Sequence, residues 1–249
     1  MRCTDIKVCA ISLVVGLSVA SVCALGQPID GSDPAVIREF VHQVYIEGVP
    51  YDQVGRLHAS PAIAVLTAML KEPGEEEYWS NIVVTLGMLG DDRAVDPLLA
   101  FIGRGESGEQ LSRSQSVAKT SAVMALGYIV HRTANKKALK YLEEGIFPNT
   151  WEARNVQWAS GIYPTRADRN SQLAVSSILG LGLSGRPEAV KLLQSIREPA
   201  ATARIADLRK QIPGIDDICA EALKANAAIA SEGMDLYYKR RLSRYKADR

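Results

Sequence analysis

Aromatic side chains and net charge are both scarce in this sequence of 249 residues. Phe, Trp and Tyr together make up 6% of the residues, and the formal net charge at pH 7 is only +1. Few aromatics with plentiful Ala and Leu favour helices over a β-sandwich, because strands prefer branched and aromatic side chains. So small a net charge gives no general attraction to nucleic acid, and no nucleic-acid partner is expected. The apolar fraction of 47% is that of a globular protein with a core.

Cysteine is nearly missing beyond the first residues. Three of the four cysteines, Cys3, Cys9 and Cys23, lie within the first 26 residues, which leaves Cys219 alone in the rest of the chain. A single thiol cannot form an intramolecular disulfide, so side-chain packing has to hold the fold together. Cys219 lies in an apolar helical pattern, and we predict that it is a small core residue rather than a reactive thiol.

The patterns of common catalytic and metal centres are absent as well. There is no Gly-x-Ser-x-Gly motif, and no two histidines have a metal-ligand spacing such as His-Glu-x-x-His. The Gly-x-Gly-x-x-Gly string at residues 180–185 matches a dinucleotide-binding motif, but no second strand–helix unit accompanies it. We therefore interpret it as a turn. The sequence predicts no catalytic residue, no metal and no cofactor.

The first 26 residues have the three parts of a secretory signal peptide. Arg2 and Lys7 supply a short positive region, residues 8–26 carry no charge, and small residues near position 24 suit a cleavage site. We predict a cleaved signal and hence an exported protein, periplasmic or secreted. The alternative is an uncleaved anchor, because an uncharged run of this length can just span a bilayer.

The middle of the chain contains a repeated pattern of two apolar helices joined by a short polar turn. Each helix carries apolar residues at spacings of three and four, which gives one buried stripe. Glycine at the end of the first helix permits a left-handed backbone and close packing, while Asp or Pro opens the second helix. A third unit lies around residues 125–142. The two clearest copies are Leu86-Gly-Met-Leu-Gly-Asp-Asp-Arg-Ala-Val-Asp-Pro-Leu-Leu99 and Leu181-Gly-Leu-Ser-Gly-Arg-Pro-Glu-Ala-Val-Lys-Leu-Leu193.

These segments resemble the HEAT repeat in its bacterial form, over residues 56–200. The resemblance implies an all-α protein: a right-handed α-solenoid of stacked helical hairpins, an armadillo-type superhelix. It also implies a non-catalytic module or scaffold that binds another protein, because stacked repeats build extended surfaces. The alternative is an enzyme or enzyme subunit, since some HEAT-like bacterial proteins resemble lyases that attach bilin chromophores. The unit spacing is irregular, and Val130-His-Arg-Thr133 replaces the Gly-Asp turn in the middle unit.

Segments on both sides of the repeats are predicted to cap the ends of the stack. Residues 27–55 contain Ser32-Asp33-Pro34, a start signal for a helix running to about Ile46, with Val44 on its buried face. Residues 201–249 contain a last helix from about Ile215. For the acidic run at residues 75–77, a helix start is preferred over a contact with a cation or a basic partner.

Residues 146–170 interrupt the repeat pattern, and their composition is typical of a binding surface. Trp and Arg dominate binding hot spots through large buried area and multidentate hydrogen bonds. The alternative is that the tryptophans fill the gap where the repeat spacing stretches, and the sequence does not decide between the two. The predicted protein-binding residues are Trp151, Arg154, Trp158, Tyr163, Arg166 and Arg169.

The C-terminal stretch is basic, with interleaved tyrosines. Such a segment can contact an anionic membrane surface, an acidic polymer or nucleic acid. A further alternative for the whole protein is therefore a membrane-surface-associated structural protein that uses this tail. A solvated helix end is the simpler interpretation, because cations near a helix C-terminus also suit the helix dipole. The basic residues are Lys239, Arg240, Arg241, Arg244 and Lys246.

Overall fold

The computed structural model describes residues 30–104, 111–156, 162–198 and 202–247, and these residues are all-α. Helices hold 76% of them, with no β-strand in these ranges. The first helices are α1 (Pro34–His42), α2 (Tyr51–Val54), α3 (Ala59–Met69), α4 (Trp79–Leu89), a 3-10 turn (Asp92–Ala94), α5 (Val95–Gly103) and α6 (Arg113–Thr133). They are followed by α7 (Lys136–Gly145), α8 (Pro148–Ala153), α9 (Arg166–Ser184), α10 (Pro187–Arg197), α11 (Ala203–Gln211), α12 (Ile215–Glu232) and α13 (Met234–Ala247).

Local sequence signals start and stop several of these helices. The Asp33 carboxylate accepts a hydrogen bond from the Ala35 backbone N–H and so caps α1. Ser112 with Gln115, and Thr165 with Asp168, form capping boxes at the starts of α6 and α9. The Asp33 start is predicted from the sequence and the two capping boxes are not, but all three act through hydrogen bonds within a few residues.

Helices α4, α6, α9 and α12 pack against one another in chain order. Their closest approaches lie at glycines: a Cβ built on Gly87 would lie 2.6 Å from the Ala125 carbonyl oxygen, and one on Gly182 2.9 Å from Cα of Ala222. The close packing predicted for the Leu-Gly positions is thereby confirmed.

The predicted helix ends are wrong by about one turn. α4 continues past Gly87 and α9 past Gly182, and the left-handed residues that end them are Gly90 (φ 62°) and Gly185 (φ 61°). The Leu-Gly glycines lie inside helices because close helix contact, not a turn, requires them. For the same reason most of the Gly-x-Gly-x-x-Gly string is helical, and only its last glycine ends a helix.

Helices α5, α7 and α10 pack on the central helices. α5 contacts α6, α7 contacts both α6 and α9, and α10 contacts both α9 and α12. The predicted pairing of one helix with a second one across a short turn is present in each unit, as α4 with α5, α6 with α7 and α9 with α10. In the middle unit Ala134 takes the left-handed conformation (φ 55°) in place of glycine.

The acidic run at residues 75–77 does not act as a simple helix start. Glu75 is buried, and its carboxylate lies 3.0 Å from Nη1 of Arg38 and 2.8 Å from Nε2 of His42. Arg38 also pairs with Glu72 at 2.7 Å. This network joins α1 to the segment before α4, and sequence spacing could not reveal it because its members are more than thirty residues apart.

The C-terminal helix folds back onto the N-terminal part of the chain. Helix α13 contacts α12 and also α2, which lies near the other end of the described residues. No described helix is long and apolar enough to cross a membrane. The predicted signal peptide, residues 1–26, lies outside the described residues.

Candidate functional site

Trp151, the first predicted binding residue, lies in the protein interior. Its side chain is fully buried, and its indole N–H donates a hydrogen bond of 2.6 Å to the Gly145 carbonyl. The ring meets Tyr141 edge-on at 5.7 Å between centroids. Trp151 therefore closes the junction between α7 and α8, as the gap-filling alternative predicts, and offers no surface to a partner in this conformation.

Two of the predicted arginines also serve packing. The Arg154 guanidinium lies 3.6 Å from the Tyr141 ring centroid and pairs with Glu144 at 3.2 Å. Arg169 is buried; it pairs with Glu152 at 3.7 Å and donates to the Val156 carbonyl. Burial lowers the pKa of Arg169, and the Glu152 carboxylate opposes this effect.

Of the three remaining predicted residues in the 146–170 segment, the structure describes Arg166 and Tyr163. Arg166 is exposed and lies 3.9 Å from Glu152. Tyr163 is half-buried, and its pKa is raised by burial and lowered in part by a hydrogen bond to Ser116. Trp158 lies outside the described residues. Partner binding by this segment stays a prediction, and Arg166 is the exposed member that can carry it.

The predicted basic tail lies in α13, and its tyrosines Tyr237 and Tyr238 are partly buried. Tyr238 stacks on Tyr51 with 5.2 Å between centroids and 3° between planes, and its hydroxyl hydrogen-bonds that of Tyr128. Burial raises the pKa of Tyr238 to about 12. Lys239, Arg240 and Arg241 are exposed on α13. Arg244 and Lys246 lie on the same helix, with side chains outside the described part.

An open cavity of about 550 Å³ lies between α6, α9, α12 and α13. Its lining is mostly apolar, and α13 contributes Tyr237 with Arg240 and Arg241 at the mouth. The cavity is not predicted from the sequence, because α6, α9 and the pair α12 and α13 lie far apart in the chain. The apolar residues of the lining include Met124, Leu179, Leu183, Ala222, Ala225 and Ala228.

A second cavity, of about 520 Å³, is polar and lies on the other side of α13. Asp52, His131, Arg132 and Asp235 are among the residues that line it. Burial lowers the pKa of His131, so the imidazole is neutral at pH 7. Among the described residues, no group of three or more His, Cys, Asp or Glu could hold a metal ion.

Residues 43–48 present exposed apolar side chains on a fixed loop. Val44 is 91% exposed and Ile46 is 80% exposed. The Asn81 side chain donates to the carbonyls of Val41 (2.8 Å) and Gln43 (3.0 Å), which holds the loop in place. The prediction that α1 runs to about Ile46 with Val44 buried is wrong: the helix ends at His42 because the following residue is extended.

Lys119 is a buried cation with a structural role. Its Nζ donates to the carbonyls of Phe101 (3.2 Å), Ile102 (3.0 Å) and Arg104, which are the last carbonyls of α5 and the residue after it. Burial lowers its pKa to about 8, and the positive charges of Arg104 and Arg169 act in the same direction. Lys119 therefore caps α5, in a position that the sequence did not predict.

The protein should become more stable as the pH rises from about 8 to 9. Lys119 has a folded pKa of about 8, below its ordinary 10.5, so in this range the unfolded chain binds more protons than the folded one. The free energy of unfolding should rise by about 1 kcal/mol over that unit. Over the same range Cys219 acts in the opposite direction and reduces the net rise by a few tenths of a kcal/mol, because burial raises its thiol pKa from 9.0 to about 12.

Urea unfolding at a series of pH values measures this rise. Lys119→Met should remove it, whereas Lys191→Met, at an exposed position of α10, should keep it. An equal rise in the wild type and in Lys119→Met would assign the effect to another group.

The described residues thus contain two apolar features open to a ligand, the cavity beside α13 and the loop at residues 43–48. Cys219 is fully buried, which confirms its prediction as a core residue.

Comparison with protein-family models, with curated proteins and with solved structures gives no match to this chain.

Proposed function

We propose that this protein is an exported, non-catalytic HEAT-like repeat protein that binds another protein. The proposal includes the finer fold, a right-handed α-solenoid of helical hairpins. It is supported by the repeated sequence pattern and by the chain-order packing of α4, α6, α9 and α12. Export rests on the signal-like first 26 residues.

The exposed pair Val44 and Ile46 carries the binding part of the proposal. Apolar side chains this exposed are unfavourable in water. Burying one of them in an interface contributes about 1.5–3 kcal/mol to the free energy of binding. The Asn81 side chain ties the start of the loop to α4 through hydrogen bonds to the Val41 and Gln43 carbonyls, and this restraint reduces the conformational entropy that is lost on binding. A fixed apolar loop beside polar surface is a typical contact for a protein partner.

Photocrosslinking from the loop tests the proposal. A photoreactive phenylalanine analogue at Ile46 should trap one dominant protein from an exported fraction. The same analogue at Lys191, exposed on α10, should not trap that protein. If both positions trap the same mixture of proteins, or neither traps any, the protein-binding proposal is contradicted.

A double substitution then measures the contribution of the loop. Val44→Ser with Ile46→Ser should weaken binding of the identified partner at least about tenfold, which corresponds to about 1.4 kcal/mol. The free energy of unfolding should change by no more than about 0.5 kcal/mol, because neither side chain is buried. Unchanged affinity would place the contact elsewhere on the molecule.

A further inference from the structure

The cavity between α6, α9, α12 and α13 has the size and lining of a small-molecule site. Its volume is about 550 Å³, and ligand pockets typically measure about 300–1,000 Å³. The walls are Leu179 and Leu183 of α9, Met124 of α6 and the alanines of α12. Such a lining binds aliphatic chains, each buried methylene contributing about 0.8 kcal/mol.

The charged residues of the lining are all exposed, which places them at the mouth of the cavity: Glu221, Lys224, Arg240 and Arg241. Lys224 lies 3.6 Å from Glu221, and Arg240 pairs with Glu232, so each of these cations already has a carboxylate. Arg241 also lines the cavity, but it has no ion pair or hydrogen bond with any described residue. The mouth therefore carries one positive charge without a counter-charge among these residues.

We propose that this cavity binds a single-chain anionic amphiphile, a medium-length alkyl carboxylate. The alkyl chain lies along the apolar walls, and the carboxylate lies at the mouth beside Arg241. A neutral alcohol of equal length gains only the apolar contacts, and an alkylammonium ion is repelled by the same charge. This site is separate from the loop at residues 43–48, and the proposed protein binding does not depend on it.

Helix α13 forms one wall of the site and is held from its other side. Tyr238 stacks on Tyr51 and contacts Tyr128, while Tyr237 of the same helix faces the cavity. A ligand in the cavity contacts α12 and α13 together, so it binds the folded chain and not the unfolded one. Such a ligand raises the unfolding temperature in proportion to the logarithm of its concentration.

Calorimetric titration of the full chain with dodecanoate, below the concentration at which it forms micelles, tests the proposal. The expected result is saturable binding of one molecule per chain. Dodecanol should bind about two- to fivefold more weakly, because an exposed charge contact contributes modestly. Dodecyltrimethylammonium should bind more weakly still.

Two matched pairs of variants locate the site. Ala225→Phe fills the cavity and should weaken dodecanoate binding at least about tenfold, whereas Ala227→Phe, exposed on the same helix and outside the lining, should leave it unchanged. If Ala225→Phe folds poorly, the smaller change Ala225→Leu should also weaken dodecanoate binding.

Arg241→Gln should weaken dodecanoate binding by about two- to fivefold and leave dodecanol binding unchanged. Lys239→Gln should affect the binding of neither compound.

Three results would overturn the proposal. They are the absence of saturable dodecanoate binding, equal weakening by Ala225→Phe and Ala227→Phe, and equal affinity for dodecanoate, dodecanol and the ammonium compound. Vesicles of phosphatidylglycerol distinguish a membrane surface from a free amphiphile. Binding to vesicles without binding of free dodecanoate would also overturn the proposal, in favour of a membrane contact by the basic helix.

Discussion

Replacing Gly127 with alanine should lower the free energy of unfolding by about 3 kcal/mol. A Cβ at this position would lie 2.2 Å from the carbonyl oxygen of Gly180 and 2.9 Å from its Cα. Both atoms belong to the backbone of α9, so no side chain can rotate away and the two helices have to separate. The loss outweighs the gain of less than about 1 kcal/mol that alanine normally brings to a helix interior.

Gly103→Ala is the matched control for this prediction. Gly103 is the last residue of α5, and a Cβ there would meet nothing within 4 Å. The same chemical change should therefore be neutral or stabilise by up to about 1 kcal/mol. Urea unfolding followed by circular dichroism measures both variants. Equal effects of the two substitutions would mean that α6 and α9 do not approach closely at Gly127.

Replacing Trp151 with alanine should cost about 4 kcal/mol, the largest loss expected from a single side chain here. The substitution empties a fully buried site and removes the hydrogen bond that the indole N–H donates to the Gly145 carbonyl. It also removes the ring against which Tyr141 and Arg154 pack. Trp151→Phe should cost less, about 1–2 kcal/mol, chiefly from the unpaired carbonyl.

Arg166→Ala is the control for Trp151, because this predicted binding residue is exposed. It should change the free energy of unfolding by no more than about 0.5 kcal/mol. Thermal and urea unfolding of the three variants separate a packing residue from a binding residue. If Trp151→Ala kept full stability but lost a partner, Trp151 would be a binding hot spot and not a packing residue.

Properties that depend on nearby residues were predictable from the sequence. The all-α class followed from composition and from apolar spacing of three and four. The N-cap Asp33 and the opening Pro187 act through hydrogen bonds and dihedral preferences within a few residues of themselves, so their signals are local. The pairing of an apolar helix with a second one across a polar turn followed in the same way.

Properties that depend on distant residues were decided only by the tertiary structure. From its sequence position Glu75 is predicted to lie at a helix start, whereas in the structure its carboxylate pairs with Arg38 and His42. From its sequence the basic tail is predicted to be a solvated helix end. In the structure Tyr238 stacks on Tyr51, so α13 packs near α2 and forms one wall of the apolar cavity.

The sequence by itself thus determined that the chain forms helices, where some of them begin, and which glycines let helices approach. The tertiary structure decided whether a given apolar or charged side chain is buried or exposed. Trp151 lies inside, while Val44 and Ile46 lie outside, although all three are apolar. The physical reason is that burial is a property of the whole packed chain: a side chain is buried only when elements distant in sequence cover it.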